Sequence, residues 1–172
     1  MLALVFMGDV MENIKLYEVD NDYINYLSQF APHLFLNKQP HQSHERKYIG
    51  VVLHINDTDY FAPLSSFKPK HSKMPNRIDF IKIKNYAVIN LNNMFPVIDG
   101  VYTYVDINSV RDIQYKNLLL AEYRFIKSIQ NNIRKNALTL YKLKVTAADK
   151  TPLTERCNDF KLLEEKSAHY NL

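Results

Sequence analysis

The segment YFAPLSSFKPKH, residues 60–71, brings hydroxyl, ammonium and imidazole groups together at close spacing. Because proline lacks the amide donor of a strand or helix, Pro63 and Pro69 predict breaks in regular structure on both sides of the polar residues. A strand that ends in hydroxyls and cations presents donors and positive charge, which suits a phosphate group. Spacing alone predicts only a weak anion site, because a solvated turn is the commoner structure for such a loop. The polar residues are Ser65, Ser66, Lys68, Lys70 and His71.

Composition excludes several classes of protein. The chain has 172 residues, 47% of them hydrophobic and 12 of them tyrosine, so a globular domain with a sizeable core is expected. Three glycines are too few for a dinucleotide-binding fingerprint or a Walker loop. The formal net charge of +4 favours an anionic partner only weakly. The single cysteine, Cys157, excludes an internal disulfide and a thiolate-rich zinc site, and it favours a reducing cytoplasm.

The N-terminal residues 1–12 are predicted to be an appendage, and residues 13–172 to form one domain. The apolar run from Leu2 to Met7 is shorter than a membrane span or the core of a signal peptide, and no basic residue precedes it. Either Met7 or Met11 could be the true start. Since no other segment approaches membrane length, no membrane association is expected.

Hydrophobic periodicity predicts an α+β fold in which helices pack on one antiparallel sheet. Asp20 or Asn21 is expected to cap a first short helix. Long loops are expected over 32–45 and, with basic character, over 65–77. Helical spacing begins after residue 108 and extends to about 145, and a last helix covers 160–169. The predicted strands are 14–19, 47–55, 60–64, 78–83, 86–91, 95–98 and 101–107.

One carboxylate, Glu122, projects from the apolar face of the helical region after residue 108. A carboxylate in that position must be paired, protonated or close to water. An ion pair with a residue of the sheet is the favoured interpretation. The apolar residues of this face are Tyr115, Leu118, Leu119, Phe125, Ile126, Ile129 and Ile133.

Several kinds of catalytic site lack their motifs. His41 and His44 could ligate a metal, but no HExxH motif accompanies them, so solvated loop histidines are favoured. Ser66 and His71 could join an aspartate in a triad, but no GxSxG elbow is present. No pair of carboxylates is an evident candidate for glycoside hydrolysis.

Phosphoryl transfer without a metal fits the residues better. Cleavage of RNA through its own 2′-hydroxyl needs an activated 2′-oxygen, a stabilised phosphate and a proton for the leaving 5′-oxygen, but no protein nucleophile. Lysine, arginine, serine and tyrosine supply such donors, and each well-positioned donor contributes roughly 10²–10³ in rate. Tyrosine rings could also stack on unpaired bases.

Five sequence blocks, in order, resemble the ToxN/AbiQ family of type III toxin–antitoxin endoribonucleases. The central block, APLSSFK at 62–68 with His71 beyond it, is similar to the family's APL-T/S-S-x-K…H motif. Each block is weakly specific by itself, whereas five in order are specific, and they look most similar to the AbiQ branch. The other blocks are DYINYL at 22–27, YIGVVL at 48–53, INL and MFPV within 89–97, and CN and FKLLEEK within 157–166.

The resemblance implies a twisted antiparallel sheet surrounded by helices, similar to the Kid/MazF type of ribonuclease fold. It also implies metal-independent cleavage of single-stranded RNA to a 2′,3′-cyclic phosphate, with no cofactor, by a toxin of bacterial abortive infection. A small repeat-derived RNA folded as a pseudoknot is the implied antitoxin. Phage or host RNA is the implied substrate, a complex bridged by RNA is a further expectation, and the cytoplasm is the expected compartment.

Motif positions carry the family's site residues onto this chain. Ser65 and Ser66 are expected to orient the phosphate, and Lys68 to stabilise charge or donate a proton. Arg46, counted back from the central strand, is expected to neutralise charge, with Lys47 as the alternative cation because an arginine hardly acts as a base. The residues expected to contact RNA are Tyr23, Lys47, Lys70 and His71.

Two further alternatives remain open at the level of sequence. A structural role is the alternative to an RNA contact for His71. A non-catalytic RNA-binding regulator that uses the same basic loop is the alternative to an enzyme.

Overall fold

The described residues, 11–34 and 44–172, form a seven-stranded antiparallel sheet with helices packed on it in a computed structural model. The strands are β1 (Lys15–Val19), β2 (Lys47–Ile55), β3 (Thr58–Ser66), β4 (Phe80–Ile83), β5 (Ala87–Asn90), β6 (Phe95–Val97) and β7 (Tyr102–Tyr104). Their order in the sheet is β4-β5-β3-β2-β1-β7, and β6 pairs with β3.

β2 and β3 form the central hairpin of the sheet, and each is nine residues long and mostly buried. Asn56 and Asp57 join them with φ angles of 50° and 57°. Two consecutive residues with positive φ are typical of the turns that match the twist of a hairpin, and Asn and Asp tolerate this conformation well. The start of β2 and the end of β3 therefore lie side by side.

Helices cover the sheet, and α2 and α5 begin at aspartates that cap them. Asp112 accepts a hydrogen bond from the amide of Tyr115 at the start of α2, and Asp159 accepts one from Leu162 at the start of α5. The helices of the described chain are α1 (Asn21–Ser28), α2 (Ile113–Ser128), α3 (Gln130–Thr146), α4 (Pro152–Glu155) and α5 (Phe160–Ala168).

The core consists of two clusters on opposite sides of the sheet. Successive side chains of a strand point to opposite faces of the sheet. In β2, Tyr48 lies in the second cluster and Ile49 in the first, and in β3, Tyr60 lies in the first and Phe61 in the second. Residues of α2 and α3 complete the first cluster, and residues of α1 and α5 the second. The sheet is therefore held from both faces.

The predicted α+β fold is confirmed, and β2 has the predicted bounds, but β3 is longer than predicted. Ser65 and Ser66 were expected in the basic loop, whereas both lie in β3 and pair with Val88 and Ala87 of β5. The polar composition of the two serines suggested a loop, but the backbone partners on β5 keep them extended. Their hydroxyls consequently project from a strand.

Pro63 also departs from the prediction, because it lies inside β3 rather than at a break. The residues of β3 that pair with β6 are 59–61, and those that pair with β5 are 64–66. Pro63 falls between these two sets, where a missing amide donor removes no ladder bond on that side.

The helical face predicted after residue 108 is divided between two helices. α2 ends at Ser128, α3 begins at Gln130, and Ile129 between them has φ −115° and ψ 11°. Periodicity continues through this break because Ile129 and Ile133 still contribute apolar side chains to the same cluster. The short helix α4 was not predicted.

The N-terminal residues of the described chain are tied to α3. Ile14 donates its amide to Oε1 of Gln130 at 2.9 Å, and Arg134 donates to the carbonyl of Glu12. Most of the predicted appendage, and most of the predicted loop over 32–45, lie outside the described residues. Within the described ranges, no helix combines the length and the apolar character needed to cross a membrane.

Replacing Gly50 with alanine should destabilise the fold by about 1–3 kcal/mol, the usual range for overpacking. A β-carbon at position 50 would overlap the ring of Phe61. That ring cannot move easily, because it stacks on Tyr17 with centroids 4.6 Å apart and contacts Tyr102 at 4.9 Å. Urea unfolding of Gly50→Ala measures the loss.

The double variant Gly50→Ala/Phe61→Leu supplies the control. Leucine removes ring atoms that overlap the new methyl group, so the double variant should lose less stability than the sum of the two single variants. Additive losses would show that the overlap with Phe61 is not the cause.

Candidate active site

A cavity of about 330 Å³ lies between α2 and the end of the hairpin where β2 begins and β3 ends. The hairpin contributes Lys47, Leu64, Ser65 and Ser66, and β5 contributes Ala87. The segment before β2 contributes His44, Glu45 and Arg46, and α2 contributes Tyr115, Leu118, Leu119 and Glu122. Four residues predicted for the site therefore meet here, namely Arg46, Lys47, Ser65 and Ser66.

Arg46 and Ser65 are in direct contact. Lys47 pairs with Leu64 in the antiparallel hairpin. Arg46, one residue before Lys47, therefore lies opposite Ser65, one residue after Leu64. Nη1 of Arg46 donates to Oγ of Ser65 at 2.8 Å, and Nδ2 of Asn90 donates to the same oxygen at 3.4 Å. A hydroxyl that accepts two bonds still has its own proton to donate.

Burial lowers the pKa of Arg46, although the nearby Tyr48 hydroxyl acts in the opposite direction. An arginine remains cationic at neutral pH even so. Arg46 is half-buried, hence its positive charge acts in a medium with less screening than bulk water.

Lys47 is held by a different set of partners. Its Nζ donates to Oε1 of Glu18 at 2.7 Å and to the carbonyl of Glu45 at 3.1 Å, and it lies 5.7 Å from the ring centre of Tyr115. Burial lowers the pKa of Lys47, but the hydrogen bond to Glu18 and the charges of Tyr115 and Glu18 outweigh it, so the pKa is raised overall. Lys47 is therefore a positively charged anchor between β2, β1 and α2.

Ser66 and Lys68 lie at the rim. Ser66 is an exposed residue at the end of β3 and lines the cavity, whereas Lys68 is exposed beyond it and does not line the cavity. Lys70 is exposed in the following 3-10 helix, which covers Pro69–Lys73. The basic loop thus continues from the cavity onto the outer surface.

His71 has a structural position. It is only 7% exposed, and its Nδ1 accepts a hydrogen bond from the amide of Lys68 at 3.0 Å. Burial lowers its pKa, and the charges of Lys70 and Lys68 add to this effect, so the ring is neutral at physiological pH. Its role in this geometry is to hold the backbone that carries Lys68 and Lys70.

Tyr23 lies in the core rather than in the cavity. It is fully buried, and its hydroxyl donates to the carbonyl of Pro96 at 2.7 Å. Burial raises its pKa above the ordinary range. The predicted contact between Tyr23 and RNA therefore gains no support from its position.

His44 stacks on Tyr115 at the mouth of the cavity, with ring centres 3.7 Å apart and planes at 3°. Nε2 of His44 also lies 3.7 Å from Oδ2 of Asp112. His41, the other histidine considered as a metal ligand, lies outside the described residues. Over 11–34 and 44–172, no group of three or more histidine, cysteine or acidic side chains is arranged to hold a metal ion.

Glu122 lines the cavity from α2 and is only 5% exposed. The predicted ion pair with the sheet is wrong, because no salt bridge or hydrogen bond of its carboxylate occurs among the described residues. The two cations that line the same cavity, Arg46 and Lys47, donate to Ser65 and Glu18 instead. Burial raises the pKa of Glu122 to about 7.

Sequence reasoning did not assign Glu122, Tyr115 or Asn90 to the site. The signal for the first two was present, because residues seven positions apart share a face of a helix. Asn90 lay in one of the sequence blocks, but only the pairing of β3 with β5 brings it to Ser65.

Comparison with known proteins bears on the activity of this cavity. The family model described as toxin ToxN of the type III toxin–antitoxin system matches residues 15–168. The chain belongs to the ToxN toxin family. The resemblance drawn from the five sequence blocks is thereby confirmed.

The ToxN relatives are similar in sequence along nearly the whole chain. Endoribonuclease ToxN of Bacillus thuringiensis subsp. kurstaki is 32% identical, over 92% of this chain and 85% of that protein. Endoribonuclease ToxN of Pectobacterium atrosepticum is 29% identical, over 89% and 91%. Endoribonuclease AbiQ of Lactococcus lactis subsp. lactis is 28% identical, over 92% and 90%.

Solved structures share the fold of this ToxN family member. One protein chain, from work on a processed non-coding RNA that regulates a bacterial antiviral system, has a TM-score of 0.82 at 26% identity, over 92% of this chain and 99% of its own. A second, described as a toxin selectively inhibited by a non-coding RNA pseudoknot, has a TM-score of 0.79 at 32% identity, over 92% and 98%. AbiQ, described as a lactococcal anti-phage endoribonuclease, has a TM-score of 0.74 at 25% identity, over 91% and 97%.

The unmodified protein should lose stability as the pH rises through 7, because Glu122 then becomes charged. In this ToxN family member, Glu122→Gln should remove that loss. The pKa of Glu122 is raised from 4.5 to about 7, so its protonated form favours the folded state. That contribution is fully present below about pH 4.5 and is lost as the pH rises through 7. At about 1.4 kcal/mol per pKa unit, the unmodified protein should lose on the order of 3 kcal/mol relative to Glu122→Gln between pH 5 and pH 8.

Urea unfolding of both proteins at several pH values measures this difference. The comparison cancels the other titrating groups, His71 among them, because both proteins contain them. A stability difference that stays constant from pH 5 to pH 8 would contradict the raised pKa.

Proposed function

We propose that this chain is the toxin of a type III toxin–antitoxin system and that it cleaves single-stranded RNA as an endoribonuclease. The 2′-oxygen attacks the adjacent phosphate, the bond to the 5′-oxygen breaks, and a 2′,3′-cyclic phosphate and a 5′-hydroxyl remain. The observation that carries the proposal is the cavity in which Arg46, Ser65 and Ser66 meet, in a member of the ToxN family. This reaction needs neither a protein nucleophile nor a cofactor.

Arg46 and Ser65 form the part of the cavity suited to the scissile phosphate. The Ser65 hydroxyl, already accepting from Arg46 and Asn90, donates its proton to a non-bridging oxygen. The guanidinium neutralises the charge that develops on the pentavalent phosphate, and charge-assisted bonds of this kind are the stronger ones. Ser66 at the rim supplies a second hydroxyl.

Lys68 acts from outside the cavity, two residues beyond the end of β3. Its exposed ammonium protonates the leaving 5′-oxygen or stabilises its charge. The RNA continues along the basic surface that follows, since single-stranded nucleic acid binds grooves of positive charge. The exposed cations of this surface are Lys68, Lys70, Lys73 and Arg77.

The size of the cavity limits what enters it. A volume of about 330 Å³ lies at the low end of ligand pockets, which span roughly 300–1,000 Å³. The cavity therefore accommodates about one nucleotide, and the rest of the strand lies on the surface.

The relatives supply the biological setting of the proposal. One related structure is described as a toxin inhibited by a non-coding RNA pseudoknot, and another as an anti-phage endoribonuclease. We propose the same for this chain: a repeat-derived pseudoknot RNA covers the basic surface and keeps the toxin inactive in the bacterial cytoplasm. Such an RNA could bridge several toxin molecules.

Ser66→Ala and Lys68→Ala should each slow RNA cleavage by roughly 10²–10³-fold, because each removes one donor to the reacting phosphate. The assay incubates purified protein with a long single-stranded RNA transcript in excess EDTA. It follows the appearance of fragments with 5′-hydroxyl and 2′,3′-cyclic phosphate ends.

Ser28→Ala and Lys142→Ala are the matched controls, because both residues lie outside the cavity and the basic surface. They should cleave like the unmodified protein. If RNA binds the unmodified protein but no cleaved ends appear, the chain is a non-catalytic RNA-binding regulator. If cleavage occurs and both site variants keep full rate, the site assignment fails.

Arg46→Ala should reduce cleavage by roughly 10²-fold with little loss of stability, whereas Lys47→Ala should mainly reduce stability. Arg46 touches Ser65, while the ammonium of Lys47 is bound to Glu18. Arg46→Lys should recover part of the rate, because a lysine keeps the charge but not the planar donors. Single-turnover cleavage and thermal unfolding of the three variants separate the two effects, and the reverse pattern would make Lys47 the active-site cation.

A further inference from the structure

Glu122 is a buried carboxylate that the rest of the fold does not require. It occupies a position on α2 where Leu119 and Ile126, three residues before and four after, pack into the core. A carboxyl group without a hydrogen-bond partner destabilises a buried position that an apolar side chain would stabilise. Within residues 11–34 and 44–172, no donor bonds to this carboxylate. Departures of this kind from local rules concentrate at functional sites.

The position of Glu122 in the cavity gives it access to a substrate. The carboxylate lies on the α2 wall, whereas Arg46, Ser65 and Ser66 come from the hairpin. The two cations that line the same cavity are engaged elsewhere: Arg46 donates to Ser65, and Lys47 donates to Glu18. The cavity thus has one wall that attracts a phosphate and another that presents an acceptor for a proton.

We propose that Glu122 is the catalytic base that removes the proton from the attacking 2′-hydroxyl of the RNA. The proposal rests on the proposed endoribonuclease function and names a role that the serines and cations of the site leave open. The bond from the 2′-oxygen to phosphorus forms as its proton passes to the carboxylate. The bond from phosphorus to the 5′-oxygen breaks, and that oxygen takes a proton from Lys68.

The other titratable groups around the cavity are less suited to this role. Tyr115, on the same helix, has its pKa raised by burial and is protonated, and Lys47 on β2 also has a raised pKa. Arg46 is a cation throughout, and His44 and Glu45, from the same segment, are exposed at the mouth. β3 and β5 contribute only hydroxyl and apolar side chains to the cavity.

The environment of Glu122 also tunes it for proton transfer. A general base works best when its pKa lies near the working pH, and burial raises the pKa of Glu122 to about 7. The cleavage rate should therefore rise with pH and level off above about 7. A carboxylate at the ordinary value of 4.5 would give no such rise in the neutral range.

The test compares Glu122→Gln and Glu122→Asp with the unmodified protein in single-turnover cleavage of a long RNA transcript from pH 5.5 to 9. Glu122→Gln should lose roughly 10²–10⁴-fold in rate at neutral pH and should lose the rise near pH 7. Glu122→Asp should recover part of the rate. Affinity for the same transcript made with 2′-O-methyl nucleotides, which cannot be cleaved, should change less than about two-fold because the base contributes to the reaction and not to binding.

Glu164→Gln is the matched control. Glu164 is a mostly buried glutamate that accepts hydrogen bonds from Tyr60 and Tyr141, away from the cavity. This variant should lose stability and keep the pH profile of the unmodified protein. The pH profile of the unmodified protein tests the proposal even if a variant fails to fold, because its measurement needs no variant.

Each outcome decides the proposal. If the unmodified protein cleaves RNA and Glu122→Gln cleaves at the same rate with the same pH profile, Glu122 is structural and the inference is wrong. A rate that does not change across neutral pH in the unmodified protein overturns it as well. If the unmodified protein cleaves no RNA, the proposed function and this inference fall together.

Discussion

The antiparallel register between β2 and β3 is the constraint on which the candidate site depends. Lys47 opposite Leu64 makes Arg46 and Ser65 neighbours, and the 2.8 Å hydrogen bond between them follows from that pairing. A slip of one residue would exchange the faces of every side chain on a strand. The two-residue turn and the two core clusters oppose such a slip, because it would move large buried rings to the wrong side of the sheet.

Stability and chemistry have opposite requirements at this end of the hairpin. Arg46, Lys47 and Glu122 all place charged or chargeable groups in surroundings with little water, which costs free energy. Lys47 recovers part of this cost through Glu18, whereas Glu122 has no such partner among the described residues. The apolar clusters on both faces of the sheet offset the remainder. A chemically competent cavity can therefore exist in a domain of this size.

Much of the fold was predictable because its signals are local. The apolar run of β2 marked its bounds, and helical periodicity marked α2 and α3. Predictions that depended on neighbours in space were wrong or incomplete: Ser65 and Ser66 lie in β3 because β5 pairs with them, and the ion pair expected for Glu122 does not occur. Composition indicates whether a side chain is polar, but not which strand lies beside it.

The sequence by itself determined the family, the α+β class and the hydroxyls and cations of the central block, because these depend on residue order and spacing. Only the tertiary structure decided which of them meet. In the folded chain, Arg46 donates to Ser65 and Lys47 donates to Glu18. Tyr23 is buried in the core, and Lys68 lies outside the cavity. Glu122 lines that cavity. These outcomes depend on strand register and on the placement of α2 across the cavity from the hairpin, which bring together residues far apart in the chain.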